Sequence, residues 1–385
     1  MYFVHPQIKL NIKNFKPVFS CLFKKPNYKN IKEELSFYFP NKNFIFTDLG
    51  RTAMQIIIEK LNLKNSQMIV SAYTCDIFFE IFKKYNIQPI FLDIDLKTFN
   101  IKIEEIIKKI TPKTKSILVC HTYGFPVDMK KIIFLAKRYN LKIIEDCAHS
   151  FGTKYKGKYL GNFGHASLFS LYKIFPSFRG GMLVCPKNWK IDLQKTSFNF
   201  RDLISFLNCF PVFAFLFKSF GSSVSGEIIA KKMLKKEKSA KLSEINRVSL
   251  NLFEYFLKKY NNKIEKRIEL ALFFQKELEK LGFKTQYPQD NSFGYFSALI
   301  PENLAQKRDK LVKELRKYKI FCTRIWHNPI ILNPKVQREY NLNLVEFPNT
   351  IKIAKTIINF PLQNYFKRKD IKKIIDNLKY TLSKI

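Results

Sequence analysis

Two side chains in one stretch could do chemistry together. In Ile143–Gly181 the apolar run Ile143–Ile144 ends abruptly in Glu145–Asp146, as a buried strand does when its carboxyl end opens into a site. Asp146 is therefore a candidate buried carboxylate. Ala166–Leu171 reads as another short strand, with Lys173 just past its end and ahead of the turn residues Pro176 and Gly180–Gly181. A lysine there is either solvated or specially used. A third candidate lies upstream, where Asp48-Leu49-Gly50-Arg51-Thr52-Ala53 joins a strand to a helix through a small-residue turn. Amides at a helix start, backed by the positive end of the dipole, make an anion site of Gly50, Arg51 and Thr52. A plain glycine turn with Thr52 capping the helix explains that motif, taken alone, equally well.

These candidates must be held by the elements around them. From Phe44 strand-like and helix-like stretches alternate: strands at 44–48, 68–73, 89–95, 116–124 and 142–148, with helices over about 52–62, 76–85, 102–110 and 129–139 between them, and another strand at 180–185. Repeated strand–helix–strand units with Val/Ile-rich strands predict an α/β fold, a mostly parallel sheet sandwiched by helices, whose ligands bind at the carboxyl ends of the strands. Residues 1–43, broken by four prolines, read as an arm wrapping the domain or a neighbouring subunit. The pattern predicts a large domain over 1–245, with an insertion at about 190–241, and a linking helix and smaller α+β domain over 246–385. A long helical pattern from Ser243 to about Leu281, with a break near Asn261–Asn262, leads out of the large domain.

The insertion is unusual. Residues 201–220 are phenylalanine-rich with apolar side chains at helical spacing, although Pro211 must kink or divide the helix. Asn208, Cys209 and Lys218 make it a poor membrane span. The basic stretch 231–241 follows, so the segment suits either the surface of an anionic membrane or burial in an oligomer interface or over the active site.

Composition bounds the rest. Of 385 residues, 68 are Lys or Arg against 31 Asp or Glu, a net charge of +37 that admits nucleic acid, anionic membranes or anionic substrates as partners. The lysines are spread over the whole length and no nucleic-acid motif accompanies them, so nucleic acid is set aside. Seven cysteines without paired spacing read as reduced core residues of a cytoplasmic protein. Five histidines without ligand spacing argue against a metal, and no secretion signal is apparent at the N-terminus.

The order of motifs resembles the DegT/DnrJ-type sugar aminotransferases, fold-type I enzymes that use pyridoxal 5′-phosphate. DLGRTAM (48–54) resembles that family's SGTSAL phosphate turn, and FLDIDLKTFNI (91–101) its VDIDPxTxNI. TPKTKSILVCHTYGFPVDM (111–129) is similar to TPKTKAIIPVHLYG-PxDM, and IIEDCAHSFGTKYKGKYLGNFG (143–164) to VIEDAAQAxGxxYKGxxxGxxG. FSLYKIFPSFRGGML (169–183) resembles the FSxxK…GG segment that holds the cofactor lysine, and KLSEI (241–245) resembles RMSEL.

The resemblance implies that Lys173 holds the cofactor aldehyde and, once released, moves protons as general acid and base. It implies that Asp146 stands against the pyridine nitrogen, and that Gly50, Arg51, Thr52 and the Ser170 hydroxyl bind the phosphate. Tyr73 or Cys75 would face the ring, and His149, where glutamine is common, would lie near the cofactor hydroxyl. Ser239 stands where the family has an asparagine that reaches the partner subunit's phosphate. Arg324 and His327, in CTRIWHNP, are substrate-side candidates. The implied protein is a homodimer passing an amino group from an amino acid, usually glutamate, to a nucleotide-linked keto-sugar for glycan synthesis. The alternatives are a dehydratase or lyase, in which family members replace the lysine commonly with histidine, and a non-catalytic membrane- or polyanion-binding protein on the same fold.

Overall fold

The computed structural model describes residues 1–220, 242–286 and 291–385. Seven strands form its main sheet: β1 (Asn43–Thr47), β2 (Gln67–Ser71), β3 (Gln88–Leu92), β4 (Thr114–Cys120), β5 (Lys142–Asp146), β6 (Ala166–Ser170) and β7 (Gly181–Cys185). They lie in the order β1-β7-β6-β5-β4-β2-β3. The pairs from β6 to β3 are all parallel, while β7 runs antiparallel to both β6 and β1. Successive side chains of a strand leave on opposite faces, and here both faces are apolar. Thus Ile117 and Val119 of β4 join one core cluster with Ile143, Phe169 and Met182, while Leu118 and Cys120 join the other with Ile144, Leu168 and Leu183. The helices α1 (Gly50–Lys60), α2 (Ile77–Lys84) and α3 (Met129–Arg138) fill the crossovers.

The smaller unit is a three-stranded antiparallel sheet, β8 (Lys284–Thr285), β9 (Phe296–Leu299) and β10 (Ile357–Phe360). Helices Asn261–Glu279, Arg308–Leu315 and Arg368–Leu382 cover it through Phe274, Leu311 and Ile374. The helical pattern after Ser243 resolves into Arg247–Leu257 and Asn261–Glu279. The first of these still packs on the main sheet through Leu250, Phe253 and Leu257, so the chain leaves the large core one helix later than the 245/246 boundary. Ile330, Ile331, Val336 and Phe347 return to the large core.

At the N-terminus Tyr2–Phe3 pairs in parallel with Ile320–Phe321, tying the arm to the smaller unit of its own chain. Helix Ile12–Ser20 then packs beside the Phe-rich segment, which Pro211 divides as expected. Helix Phe200–Leu207 ends in a turn, and Pro211 opens helix Pro211–Phe220 at the first position, where a missing amide costs nothing. The basic stretch 231–241, Ser239 included, lies outside the described residues. All seven cysteines are unpaired, and all but Cys75 are buried.

Candidate active site

The parallel register brings the chemistry to one edge of the sheet. Cys120, the last residue of β4, pairs with Asp146, the last of β5, and Asp146 pairs with Leu168 of β6. The buried Asp146 carboxylate accepts the Ala148 amide at 3.0 Å through Oδ1 and the Cys120 thiol at 3.5 Å through Oδ2. Burial pushes its pKa up, and the opposing charge of Lys173 and these donors only partly offset that. Beyond β6 the chain closes a single helical turn, Leu171–Ile174, braced by the Leu171 amide on the Gly180 carbonyl at 2.9 Å. That turn carries Lys173, whose Nζ lies 3.2 Å from Nε2 of the buried His149. Burial, then the charges of Lys173 and His5, hold the His149 imidazole well below its ordinary pKa. It is therefore a neutral acceptor for the lysine amine.

The candidate anion turn is built tightly against these strands. A Cβ on Gly50 would come 2.9 Å from the Ser170 hydroxyl, and one on Gly181 would come 2.4 Å from the Leu49 carbonyl carbon. Only glycine lets the start of α1, the end of β6 and the start of β7 approach so closely. Leu49 is the N-cap of α1 and makes no side-chain cap, and the Thr52 hydroxyl hydrogen-bonds Asp48 Oδ1 instead. Capping by Thr52, one of the two readings of this motif, is thus not what the turn shows. Arg179 reaches Asp48 Oδ2 at 3.4 Å, bringing a second cation to the turn beside the half-buried Arg51.

The two candidates in SAYTC part company. Cys75, partly exposed, feels the charges of both Lys173 and Asp146, while burial pushes its thiol pKa up. Tyr73 instead points into an aromatic cluster, with its hydroxyl 2.7 Å from that of Tyr123, which in turn donates to the Ile325 carbonyl. Arg324 is ion-paired with Asp309, and the exposed His327 folds back so that Nδ1 lies 2.8 Å from the Arg324 carbonyl. Between them stands Trp326, which the sequence reading passed over. With φ 58° its ring stacks on Tyr123 at 5.4 Å and tilts over His149 at 4.9 Å. Tyr295 meets the His149 ring edge-on at 4.7 Å and its hydroxyl lies 3.1 Å from Nδ1 of His5, so the arm also touches this group.

A second buried cluster, His121, Glu145 and Cys147, groups potential metal ligands. Two of its three members are already committed: Glu145 accepts the amides of Gly161, Phe163 and Gly164 and faces His121 Nε2 at 3.3 Å, while His121 Nδ1 accepts the Val127 amide. Burial drives the Glu145 carboxyl upward, but the His121 contact and these amides outweigh it and hold it below its usual range. The cluster clamps the end of β5 to the 161–164 turn and so fixes Asp146 from behind.

A model of the DegT/DnrJ/EryC1/StrS aminotransferase family matches residues 20–379. The chain belongs to that family. It is an aminotransferase, and its cofactor is pyridoxal 5′-phosphate. Among relatives, GDP-perosamine synthase of Escherichia coli O157:H7 is 41% identical over a local match of 138 residues, 35% of this chain and 38% of that protein. A dTDP-4-amino-4,6-dideoxy-D-glucose transaminase of Shigella dysenteriae is 24% identical over 88% of this chain and 85% of its own. The Helicobacter pylori aminotransferase PseC has the same fold, with TM-score 0.75 at 17% identity over the whole of both chains. So has the pyridoxal-phosphate form of the Streptococcus pneumoniae sugar aminotransferase Spr1654, with TM-score 0.76 at 17% identity over 100% of this chain and 99% of that one. The donor set suits the cofactor: a lysine amine, a buried carboxylate and an uncapped helix start meet at one sheet edge.

Proposed function

We propose that this chain is a cytoplasmic homodimer that passes an amino group from an amino acid, glutamate first among donors, to a nucleotide-linked keto-sugar in glycan synthesis. The observation that carries the site is the Lys173–His149 contact of 3.2 Å, at the strand edge that also presents Asp146. The activities of the relatives, a perosamine synthase and transaminases of dTDP-linked sugars, support the acceptor class. When bound, pyridoxal phosphate supplies the aldehyde that takes up the amino group and the ring that accepts carbanion electrons.

The chain's own residues do the rest. Lys173 is the amine that would hold the aldehyde, and when free it would move a proton as general base and acid. His149, kept neutral, accepts a hydrogen bond from the Lys173 amine and orients it. Asp146 holds a proton on the ring nitrogen, with Cys120 and the Ala148 amide fixing the carboxylate. Gly50, Arg51, Thr52 and Ser170 bind the phosphate at the start of α1. Cys75, which feels the charges of Lys173 and Asp146, would line the cofactor's place, and Trp326, over His149, would wall the substrate side. The same reading includes a peripheral contact with an anionic membrane through the 201–220 part of the insertion.

Mass-spectrometric screening of nucleotide keto-sugars with glutamate and the purified protein tests this directly. An aminated sugar is expected. A deoxygenated product, or none with any acceptor, contradicts the reading.

A further inference from the structure

The membrane contact read into residues 201–220 acquires a second and larger component in the folded chain. Among the described residues, other large apolar side chains in solvent, such as Phe37, Phe134 and Val345, lie apart from it, but five stand on two segments that touch. Ile12 is 98% exposed, Phe15 55% and Phe23 78% on the arm, while Phe200 is 75% and Val212 59% exposed on the insertion. The segments share one satellite core: the Phe19 ring lies 4.7 Å from Phe15 on its own helix and 6.0 Å from Phe210 on the other segment, with Val18, Phe206 and Val248 beneath. Ile12, Phe15 and Phe19 follow one another at spacings of three and four, a single stripe whose inner end is partly buried and whose outer end is bare.

The loop carrying Phe23 is fixed. Asn251 donates to the Cys21 and Lys24 carbonyls at 2.9 and 2.8 Å, and Arg247 donates to the Phe23 carbonyl at 3.3 Å. The bare side chains are therefore presented by ordered backbone.

Charge decides the occupant. The first 32 residues hold seven lysines and no aspartate or glutamate. Lys13, Lys16, Lys24 and Lys25 are all exposed around the stripe, and Arg201 is exposed beside Phe200. Asp202, the nearby acid of the insertion, is buried and turned toward Asn199 and Arg179. A second copy of this chain fits less well, because a two-fold contact sets this lysine-rich surface against itself, and Glu254, the acid near Cys21, is already paired with Lys258. A surface that offers acyl chains beneath anionic headgroups answers both the stripe and its rim.

We propose that helix Ile12–Ser20, the Phe23 loop and the Phe200–Phe220 helix pair form one face that docks on an anionic lipid bilayer, with Ile12, Phe15 and Phe23 entering the headgroup–acyl boundary. It rests on the membrane contact in the functional reading, but not on the transamination.

The test uses the full chain carrying Phe15→Trp, with Phe134→Trp as the control, since Phe134 is 62% exposed on α3, away from the arm. Vesicles are phosphatidylcholine alone or with about a third phosphatidylserine, a surface that attracts basic segments. The fluorescence of Trp189 and Trp326 is common to both variants. The expected result is a blue shift and quenching by brominated lipid for Phe15→Trp on anionic vesicles only, and neither for Phe134→Trp. A triple change of Ile12, Phe15 and Phe23 to serine should weaken partition at least about tenfold while leaving transamination unchanged. Equal behaviour of the two tryptophan variants means adsorption of a +37 protein without a dedicated face, and overturns the proposal. So does a triple variant that partitions normally, or one that turns a dimer into a monomer, which would assign the face to a subunit contact. Insertion by a chain that aminates no sugar would refute the functional reading and leave this one standing.

Discussion

Replacing His149 by glutamine should remove a specific acid sensitivity of folding. His149 is 2% exposed, faces the Lys173 amine at 3.2 Å and lies against Tyr295 and Trp326. Its folded pKa is well below the ordinary 6.5, with burial the larger cause and the Lys173 charge the next. The unfolded chain therefore binds one more proton than the folded chain as pH falls below 6.5. Stability from this group is complete above the unfolded pKa and is lost as pH drops through the window beneath it. One extra proton bound by the unfolded chain over a pH unit is worth on the order of 1 kcal/mol, so between about pH 7.5 and about pH 5.5 the wild-type protein should lose stability of that order, which the variant keeps. Glutamine preserves an acceptor for the lysine and cannot titrate. Urea unfolding of both cofactor-free proteins at the two pH values gives the difference directly. The partly exposed His165, which burial also depresses, contributes equally to both and cancels. If the two proteins lose stability in parallel, His149 is not held neutral and the account of its hydrogen bond to Lys173 fails.

Five further changes probe the site and its surroundings. Asp146→Asn keeps the volume but removes the charge, and should lower kcat by about two orders of magnitude or more while the protein still binds cofactor, as followed by visible absorption and steady-state rates. Gly181→Ala places a methyl 2.4 Å from the Leu49 carbonyl carbon and 2.5 Å from the Gly50 amide nitrogen, so backbone must move; a loss of about 1–3 kcal/mol in urea unfolding and weaker cofactor retention are expected. Gly157→Ala, with nothing within 4 Å but φ +81°, should show only the cost of the left-handed backbone, about 1–2 kcal/mol, with retention unchanged. Finally, Tyr73→Phe removes the 2.7 Å hydroxyl contact with Tyr123 and should cost about 1 kcal/mol of stability without altering the cofactor's absorption band, whereas Cys75→Ala should shift that band.

That Asp146 ends one strand and Lys173 follows another was legible because an apolar run that stops at a carboxylate, and a lysine between a strand and a glycine pair, are local patterns. The parallel sheet followed from alternation in the same way. The direction of β7 was not legible: GGMLVC reads as a strand either way, and only its pairing with both β6 and β1 reveals it as antiparallel. Which of Tyr73 and Cys75 faces the site depends on how the chain turns after β2, with Tyr123 and Trp326 drawing Tyr73 inward. The surroundings of Arg324 and His327 were not legible, because long-range partners decide such positions. Asp309 takes the arginine, while the Asn359 side chain accepts the Ile325 amide and Trp326 turns left-handed to reach His149. The domain boundary shifted for a similar reason, since helix Arg247–Leu257 spends its apolar face on the large core.

The central claim is that Lys173 is the lysine that holds the cofactor. Reduction of the loaded enzyme with borohydride, followed by peptide mapping, fixes the cofactor to whichever amine carries it. The account predicts its mass on the peptide containing Lys173 and nowhere else, with no label and no visible band in Lys173→Ala. Labelling of another lysine, or an unmodified Lys173 in an enzyme that transaminates, would contradict it.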